Sequence, residues 1–174
     1  MEELCKEIEK DIKKSRVLGK GTQGVIYDLG DVVVKATKVP INDEVLRRAS
    51  AAGIGPKLLD IYRCNGITYI LMENMDTPFK DSKYGNQVQS LIVRMIRAGI
   101  FHNDIHAENM MAKNGRLYFV DFDNATLIDT MTPQEFDEAL KYHTSYTDET
   151  YSKRIPLKFT TREWNAIMKM RPTQ

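Results

Sequence analysis

Residues 101–110 read FHNDIHAENM, and residues 121–123, a short distance further on, read DFD. These two stretches decide how the rest of the chain is interpreted, because they contain three spaced oxygen-bearing side chains: Asp104, Asn109 and Asp121. Mg²⁺ prefers oxygen ligands and usually takes one or two of them from the protein and others from substrate phosphates. A carboxylate can also accept the proton of a reacting hydroxyl group. The pattern therefore predicts phosphoryl transfer, with Asp104 as the base and Asn109 and Asp121 as metal ligands.

A tight hairpin is predicted between the two stretches. Asn114-Gly115 separates the apolar runs 110–112 and 117–120. Asn-Gly between two such runs is a strong hairpin signal, because both residues tolerate a positive φ. The hairpin would bring Asp121 back beside Asn109.

The glycine-rich stretch 16–27 reads RVLGKGTQGVIY and contains Gly19, Gly21 and Gly24 in the pattern G-x-G-x-x-G. Glycines let backbone amides approach phosphates, although many such matches are ordinary turns. A dinucleotide-binding fold would require a helix immediately afterwards. Residues 25–27 instead favour a strand followed by a turn at 29–31, which predicts a phosphate-covering hairpin.

Lys35 ends an apolar run, 32–35, that predicts a buried strand. A short helix follows, with Asn42 as its cap and Gly53 as its stop. Glu44 lies in the first turn of this helix, where an acidic side chain complements the helix dipole.

A second hairpin is predicted further along, where Asn65-Gly66 joins residues 57–62 to residues 67–75. The helical pattern 88–96 stops at Gly99, directly before the stretch that contains Asp104. After residue 123, Thr132-Pro133 predicts one helix, residues 144–150 a polar loop, and Thr161 the start of a last helix.

Composition limits the classes of function. Lys and Arg number 25 against 24 Asp and Glu, a net charge of +1, which gives no reason to expect nucleic acid or an anionic membrane as partner. No apolar run is long enough to predict a membrane span, and no signal peptide is predicted. Cys5 and Cys64 are too few and too unpatterned to predict a disulfide framework or a zinc site, which favours a reducing, cytoplasmic compartment.

His-x-Asp-x-x-x-x-Asn followed by Asp-Phe-x resembles the catalytic and metal-binding motifs of the protein-kinase-like superfamily. The resemblance covers residues 16–125, with the glycine-rich stretch and Lys35 in the expected order. It implies an α+β, two-lobed fold with a small antiparallel-sheet N-lobe and a truncated helical C-lobe. The single domain 1–174 would divide into an N-lobe at about 1–73, a hinge at about 73–77 and a C-lobe at about 78–174.

The resemblance also implies roles for individual residues toward ATP and Mg²⁺, with Mn²⁺ as an alternative metal. Lys35 would hold the α and β phosphates and pair with Glu44 as part of the catalytic set. The predicted nucleotide-contacting positions are Gly19, Gly21, Gly24, Ile26, Lys35, the gatekeeper Met72, the hinge residues Glu73 and Met75, and His106.

Two departures from the protein-kinase pattern stand at the centre of the motifs. His106 replaces a lysine that most protein kinases carry, and Asp123 replaces the glycine after Asp121-Phe122. Both are typical of aminoglycoside and choline phosphotransferases. His102, in contrast, is usually a structural residue in the superfamily.

The short stretch after Asp123 contains no Ala-Pro-Glu motif and predicts no activation segment. In this the chain is similar to the short effector kinases of enteric bacteria, of the OspG and NleH type, and to minimal kinases of viruses. That resemblance implies a virulence-related serine/threonine kinase in a host cytoplasm, activated by ubiquitin or a ubiquitin-charged conjugating enzyme.

Three functions remain open at this point. The first is a minimal Ser/Thr protein kinase with a protein substrate, favoured because every phosphate and metal position is filled. The second is a small-molecule phosphotransferase, favoured by His106 and Asp123. The third is a binding module without turnover, against which the presence of Lys35, Asp104 and Asn109 argues.

Overall fold

The computed structural model describes residues 1–21 and 23–173 of the chain. They form a mixed α+β structure with a five-stranded antiparallel sheet and several helices. This confirms the predicted α+β class. The chain divides into two compact units: the first contains 1–43 and 56–74, and the second contains 44–55 and 75–174.

The first unit is built on the five-stranded sheet, whose strand order is β1-β2-β3-β5-β4. The elements are the helix α1 (Glu2–Lys14) and the strands β1 (Arg16–Gly21), β2 (Gly24–Asp28), β3 (Val32–Thr37), β4 (Leu58–Cys64) and β5 (Ile67–Glu73). Strand β1 pairs with β2, β2 with β3, and β4 with β5. Strand β5 also pairs with β3, so it lies between β3 and β4.

Two predicted turns of this sheet are confirmed, and each depends on local backbone chemistry. Asn65 and Gly66 have φ values of 53° and 80° between β4 and β5, the positive φ that a two-residue turn requires. Gly30, with φ of 93°, turns β2 into β3. Thr22 lies between β1 and β2, outside the described residues.

Helix α1 packs its apolar stripe against the sheet. Cys5 and Ile8 are buried with Val34, Cys64 and Tyr69 in one cluster. Cys5 and Cys64 form a disulfide between α1 and β4, with 5.8 Å between their Cα atoms. Two cysteines without a pattern did not predict this bond, which forms because the fold brings together two residues that are 59 positions apart.

The second unit contains most of the helices and three small antiparallel sheets, β10-β7, β11-β12 and β6-β8-β9. Its elements in chain order are α2 (Asp43–Ala51, of which Asp43 belongs to the first unit), β6 (Thr77–Pro78), α3 (Asp81–Tyr84), α4 (Val88–Arg97), β7 (Ile100–Phe101), β8 (Met110–Lys113), β9 (Arg116–Phe119), β10 (Thr126–Leu127), α5 (Pro133–Tyr142), β11 (Ser145–Thr147), β12 (Arg154–Pro156) and α6 (Thr161–Met168).

The core of the second unit is centred on α4. The predicted stripe of this helix is buried, because its apolar residues recur on one face. Gly99, with φ of 83°, ends the helix as predicted and leads into β7. The largest buried side chains include Leu91, Ile92, Met95, Ile96, Phe101, Phe119 and Phe136.

The hairpin predicted at Asn114-Gly115 is confirmed, with φ values of 53° and 77° between β8 and β9. Helix α5 also begins as predicted. The Thr132 side chain accepts a hydrogen bond from the backbone N–H of Glu135, and the Glu135 side chain accepts one from the backbone N–H of Thr132. Both features are local, so a few adjacent residues determine them.

The prediction of a loop over residues 144–150 is wrong in part. Ser145–Thr147 forms the strand β11, which pairs with β12 at residues 154–156. The two strands are short and polar and give no alternating apolar pattern, which is the signal that predicts a strand. Their pairing depends on contacts with the rest of the second unit.

The sequence predicts no membrane-spanning segment. Across residues 1–21 and 23–173, none of the helices has both the length and the apolar composition needed to cross a bilayer. This result agrees with the prediction.

Candidate catalytic site

Asp104 and Asn109 lie in contact in the second unit. The Asn109 amide nitrogen donates to the backbone oxygen of Asp104 and to its carboxylate Oδ2, both at 2.9 Å. His106 Nε2 lies 3.2 Å from the Asp104 Oδ1 atom and 3.2 Å from the Asn109 nitrogen. The five-residue spacing therefore closes one small ring of polar atoms. The Asp104 side chain keeps 38% of its surface exposed, so that an external hydroxyl group can reach it.

Asp121 is positioned by the β8–β9 hairpin. The backbone N–H of Val120 donates to the backbone oxygen of Asn109 at 2.8 Å, which ties the segment before Asp121 to Asn109. Asp121 itself has φ of 58°. Its Oδ1 accepts a hydrogen bond from the Asp123 N–H at 3.3 Å.

Asn103 and Asp121 both have a left-handed backbone, with φ of 70° and 58°. This region costs about 1–3 kcal/mol for a residue other than glycine and is concentrated at functional sites. Asn and Asp tolerate it better than other side chains, because their short polar groups bond locally. The Asn103 amide nitrogen donates to the Asn124 backbone oxygen at 2.9 Å and to the Thr126 hydroxyl at 3.1 Å. These bonds hold the strained loop in place.

His102 has a structural role. Its ring is fully buried, Nε2 donates to the Val120 backbone oxygen at 2.9 Å, and Nδ1 accepts from the Asp104 backbone N–H at 3.2 Å. Burial lowers the pKa of His102, which keeps the ring neutral as this bonding pattern requires. His102 thus links the loop of Asp104 to the strand that leads to Asp121.

His143 and Tyr142, at the end of α5, support the same loop. His143 Nε2 accepts from the backbone N–H of Asn103 at 3.0 Å, and the Tyr142 hydroxyl accepts from the N–H of Ile105 at 2.9 Å. The sequence analysis did not identify either residue as part of the site. Only the helix that carries them was predictable, because no sequence spacing relates residue 143 to residue 103.

Stability should depend on pH through His143. Burial lowers its pKa to about 4, whereas the unfolded ring binds a proton near pH 6.5. Between these pH values the unfolded state holds the extra proton, so the free energy of unfolding should fall as the pH is lowered from 6.5 toward 4. The slope of one proton is about 1.4 kcal/mol per pH unit, which gives about 2–3 kcal/mol over the window.

Urea unfolding at pH 7.0 and pH 5.0 measures this effect. His143→Gln should reduce the pH dependence, and the part that remains is assigned to His102, whose pKa is lowered by burial in the same direction. An identical pH dependence in wild type and His143→Gln would contradict the assignment.

The glycine-rich hairpin lies in the first unit. A Cβ atom built on Gly19 or Gly21 meets no other atom within 4 Å among the described residues, and neither residue has a positive φ. A Cβ on Gly24 would lie 2.5 Å from the Ala36 oxygen, so packing against β3 requires this glycine. Gly19 and Gly21 instead leave open space beside the backbone.

Lys35 lies on β3, directly opposite Ile26 of β2 and Ile70 of β5. Glu44 belongs to the second unit, where its Oε1 accepts from Arg48 Nε at 2.8 Å. Arg48 also donates to Asp129 at 3.2 Å, and these two bonds raise the pKa of the Arg48 guanidinium. The pairing of Lys35 with Glu44 stays a prediction.

The predicted adenine-contacting residues lie at the end of β5 and just beyond it. Met72 pairs with Val33 of β3, and the backbone N–H of Glu73 donates to the Lys57 oxygen at 2.9 Å. Met75 belongs to the second unit and is buried. The N–H of Glu73 is therefore already used within the sheet.

The side chains near Asn109 and Asp121 determine which metal could bind at the predicted site. Within the two described ranges, 1–21 and 23–173, no three His, Cys, Asp or Glu side chains form a metal-binding cluster. The Asn109 side-chain nitrogen donates a hydrogen bond to Asp104, so the oxygen of the same amide is the atom that could bind a cation. Asn109 and Asp121 therefore suit Mg²⁺ that takes further oxygen ligands from phosphates and water.

Comparison of the chain with protein-family models gives no match. Comparison with curated proteins gives none either. The functional assignment therefore depends on the residues and the geometry described above.

Proposed function

We propose that this chain is an ATP- and Mg²⁺-dependent phosphotransferase with a two-lobed, kinase-like fold, which transfers the γ-phosphoryl group to a Ser or Thr hydroxyl of a protein. The observation that carries the proposal is the Asp104–Asn109 arrangement. The Asn109 amide nitrogen donates to the Asp104 carboxylate and to the Asp104 backbone oxygen, both at 2.9 Å, which leaves the amide oxygen for a metal. A base and a metal ligand held in one rigid unit suit in-line phosphoryl transfer.

The chemical step follows from these roles. The acceptor hydroxyl oxygen forms a bond to the γ-phosphorus of ATP, and the bond from that phosphorus to the bridging oxygen of ADP breaks. The hydroxyl proton moves to the Asp104 carboxylate. The metal, when bound, neutralises phosphate charge, while Asn109 and Asp121 are the residues that would hold it.

Residues of the first unit would bind the nucleotide. Gly19 and Gly21 leave the backbone open to phosphate oxygens, which favours close approach of the amides. Lys35, at its place on β3, supplies a cation for the α and β phosphates. The backbone of Glu73 and of Met75 would contact adenine, next to Met72.

A partner protein would activate the enzyme. In this structure the Glu44 carboxylate accepts a hydrogen bond from Arg48, and in a kinase-like enzyme the same carboxylate would also pair with Lys35. A partner that binds preferentially to the form in which Glu44 and Lys35 are paired would shift the population toward the competent state. Ubiquitin, or a ubiquitin-charged conjugating enzyme, is the candidate partner, and a host cytoplasm the corresponding location.

One observation favours a second function, transfer to a small-molecule hydroxyl. His106 Nε2 lies 3.2 Å from the Asp104 carboxylate, at the position where most protein kinases carry a lysine. A lysine would add a permanent positive charge beside the acceptor, and His106 leaves the site without that charge. An amino sugar or choline, which is itself cationic, would tolerate that environment.

The test is transfer of labelled γ-phosphate from Mg·ATP by the purified chain, with and without ubiquitin, to a generic protein acceptor and to an aminoglycoside and choline. Labelled protein supports the first function, and labelled small molecule alone supports the second. An increase with ubiquitin supports the partner. If ATP raises the melting temperature but no acceptor is labelled, the chain is a binding module and the proposal fails.

A further inference from the structure

The hairpin β11–β12 lies against the loop that contains Asp104. Thr147 of β11 forms a parallel bridge with His106, and its backbone N–H points to the Ile105 oxygen at 3.4 Å. Residues 148–153, here called the tip loop, join the two strands. The tip loop therefore begins one residue beyond a direct backbone contact with the catalytic segment.

Asp148 organises the tip loop from inside. Its side chain is 8% exposed, and its carboxylate accepts from the Ser152 N–H at 3.0 Å, the Thr150 hydroxyl at 3.0 Å and the Lys153 N–H at 3.3 Å. The Tyr151 N–H donates to the Asp148 backbone oxygen at 3.1 Å. Four bonds to one residue give the loop a defined conformation, in which Tyr151 has φ of 56°.

This conformation places the Tyr151 ring over His106, with 5.9 Å between the ring centroids. Partial desolvation and a hydrogen bond to the Glu108 carboxylate raise the pKa of the Tyr151 phenol. Tyr151 is nevertheless 53% exposed. A large aromatic side chain is thus held in a strained backbone conformation, beside the histidine that contacts the Asp104 carboxylate, with half of its surface open to solvent.

Burial of the Tyr151 ring offsets little of the backbone strain, because about half of the ring is exposed and a positive φ costs about 1–3 kcal/mol. Strained, exposed aromatic residues beside a reactive carboxylate are more typical of a ligand-contacting position. The His106 Nδ1 atom is also buried without a hydrogen-bond partner among the described residues.

We propose that Tyr151 is a positioning and specificity-determining residue for the acceptor. The rings of Tyr151 and His106 would contact the acceptor side chain while the acceptor hydroxyl group approaches Asp104. This inference rests on the proposed phosphotransferase function and adds the acceptor-binding element to it. A chain without an activation segment needs another element to orient the acceptor, and the tip loop supplies one. Tyr151 does not contact the transferred group, so its contribution is to orientation.

The experiment compares Tyr151→Ala, Tyr151→Phe and wild type in steady-state transfer from Mg·ATP. The first two measurements are KM for the acceptor and KM for ATP. Tyr151→Ala should raise the acceptor KM by roughly tenfold or more and leave the ATP KM within about twofold, because only the acceptor loses a contact with the Tyr151 ring. It should also raise the ratio of ATP hydrolysed to acceptor phosphorylated, since water gains access to Asp104. Tyr151→Phe keeps the ring and should restore most of the coupling.

Glu149→Ala is the matched control, because Glu149 is an exposed neighbour in the same loop. It should leave both KM values and the hydrolysis ratio at wild-type levels. Wild-type activity with unchanged acceptor KM in Tyr151→Ala would overturn the inference while leaving the proposed function intact. Absence of transfer by the wild type would instead remove the proposed function, and the inference with it. Equal melting temperatures of the variants exclude an effect through unfolding.

Discussion

Asp104→Asn is expected to reduce γ-phosphate transfer by about 10²–10⁴-fold while nucleotide affinity stays within about twofold. The amide cannot accept the hydroxyl proton, but it has nearly the same size as the carboxylate and keeps an oxygen for the Asn109 hydrogen bond. The loss should therefore appear in kcat and not in ATP binding. Steady-state transfer and calorimetric titration of Mg·ATP measure the two quantities.

Glu138→Gln provides the control for loss of one negative charge, because Glu138 is an exposed residue of α5. This variant should transfer phosphate at the wild-type rate. The role of Asp104 would be disproved by an Asp104→Asn protein that retains more than a tenth of wild-type kcat. A parallel loss of ATP affinity would show that the substitution disturbs the loop and not only the proton acceptor.

The sequence was sufficient where the structural signal is local. Asn-Gly at 65–66 and 114–115 requires positive φ at adjacent residues, and few other conformations satisfy this requirement between two apolar runs. The capping box at Thr132 and the stripe of α4 likewise depend on residues within one or two turns. The spacing of Asp104 and Asn109 belongs to the same class, because a single short turn joins them.

The sequence was insufficient where contacts join distant segments. His143 accepts a hydrogen bond from Asn103, and Tyr151 lies over His106, across separations that no periodic pattern records. The strands β11 and β12 contain three residues each, too few for alternation to be recognised. Such partners are determined by packing of the whole unit. The support of the catalytic loop was for this reason less predictable than the loop itself.

The cysteines illustrate the same limit and lead to the second large effect. Nothing in the sequence relates Cys5 on α1 to Cys64 at the end of β4, since two cysteines without a pattern define no framework. The two cysteines come into contact because the apolar stripe of α1 packs against the sheet, with Ile8 beside Val34. Their pairing makes the stability of the first unit dependent on the redox conditions.

Cys5→Ser with Cys64→Ser is expected to lower the free energy of unfolding by about 4 kcal/mol under oxidising conditions. The bond closes a long loop, with 59 positions between its cysteines, and loss of the cross-link restores the conformational entropy of the unfolded chain. Denaturant unfolding of the oxidised wild type and of the double variant measures the difference. Adding a dithiol reductant to the wild type should reproduce the loss, while the double variant should not respond.

The comparison with reductant separates the cross-link from the packing of the two sulfur atoms. If the wild type keeps its stability in reductant and two free thiols are titrated, the cysteines contribute only as buried apolar groups and the cross-link is absent in solution. If reductant and substitution have equal effects, the cross-link carries the stability. The consequence then reaches the residues proposed to bind the nucleotide, because α1 covers Val34 on β3, next to Lys35. Reduction should in that case also weaken the stabilisation of the protein by Mg·ATP, and denaturant unfolding with and without Mg·ATP measures that effect.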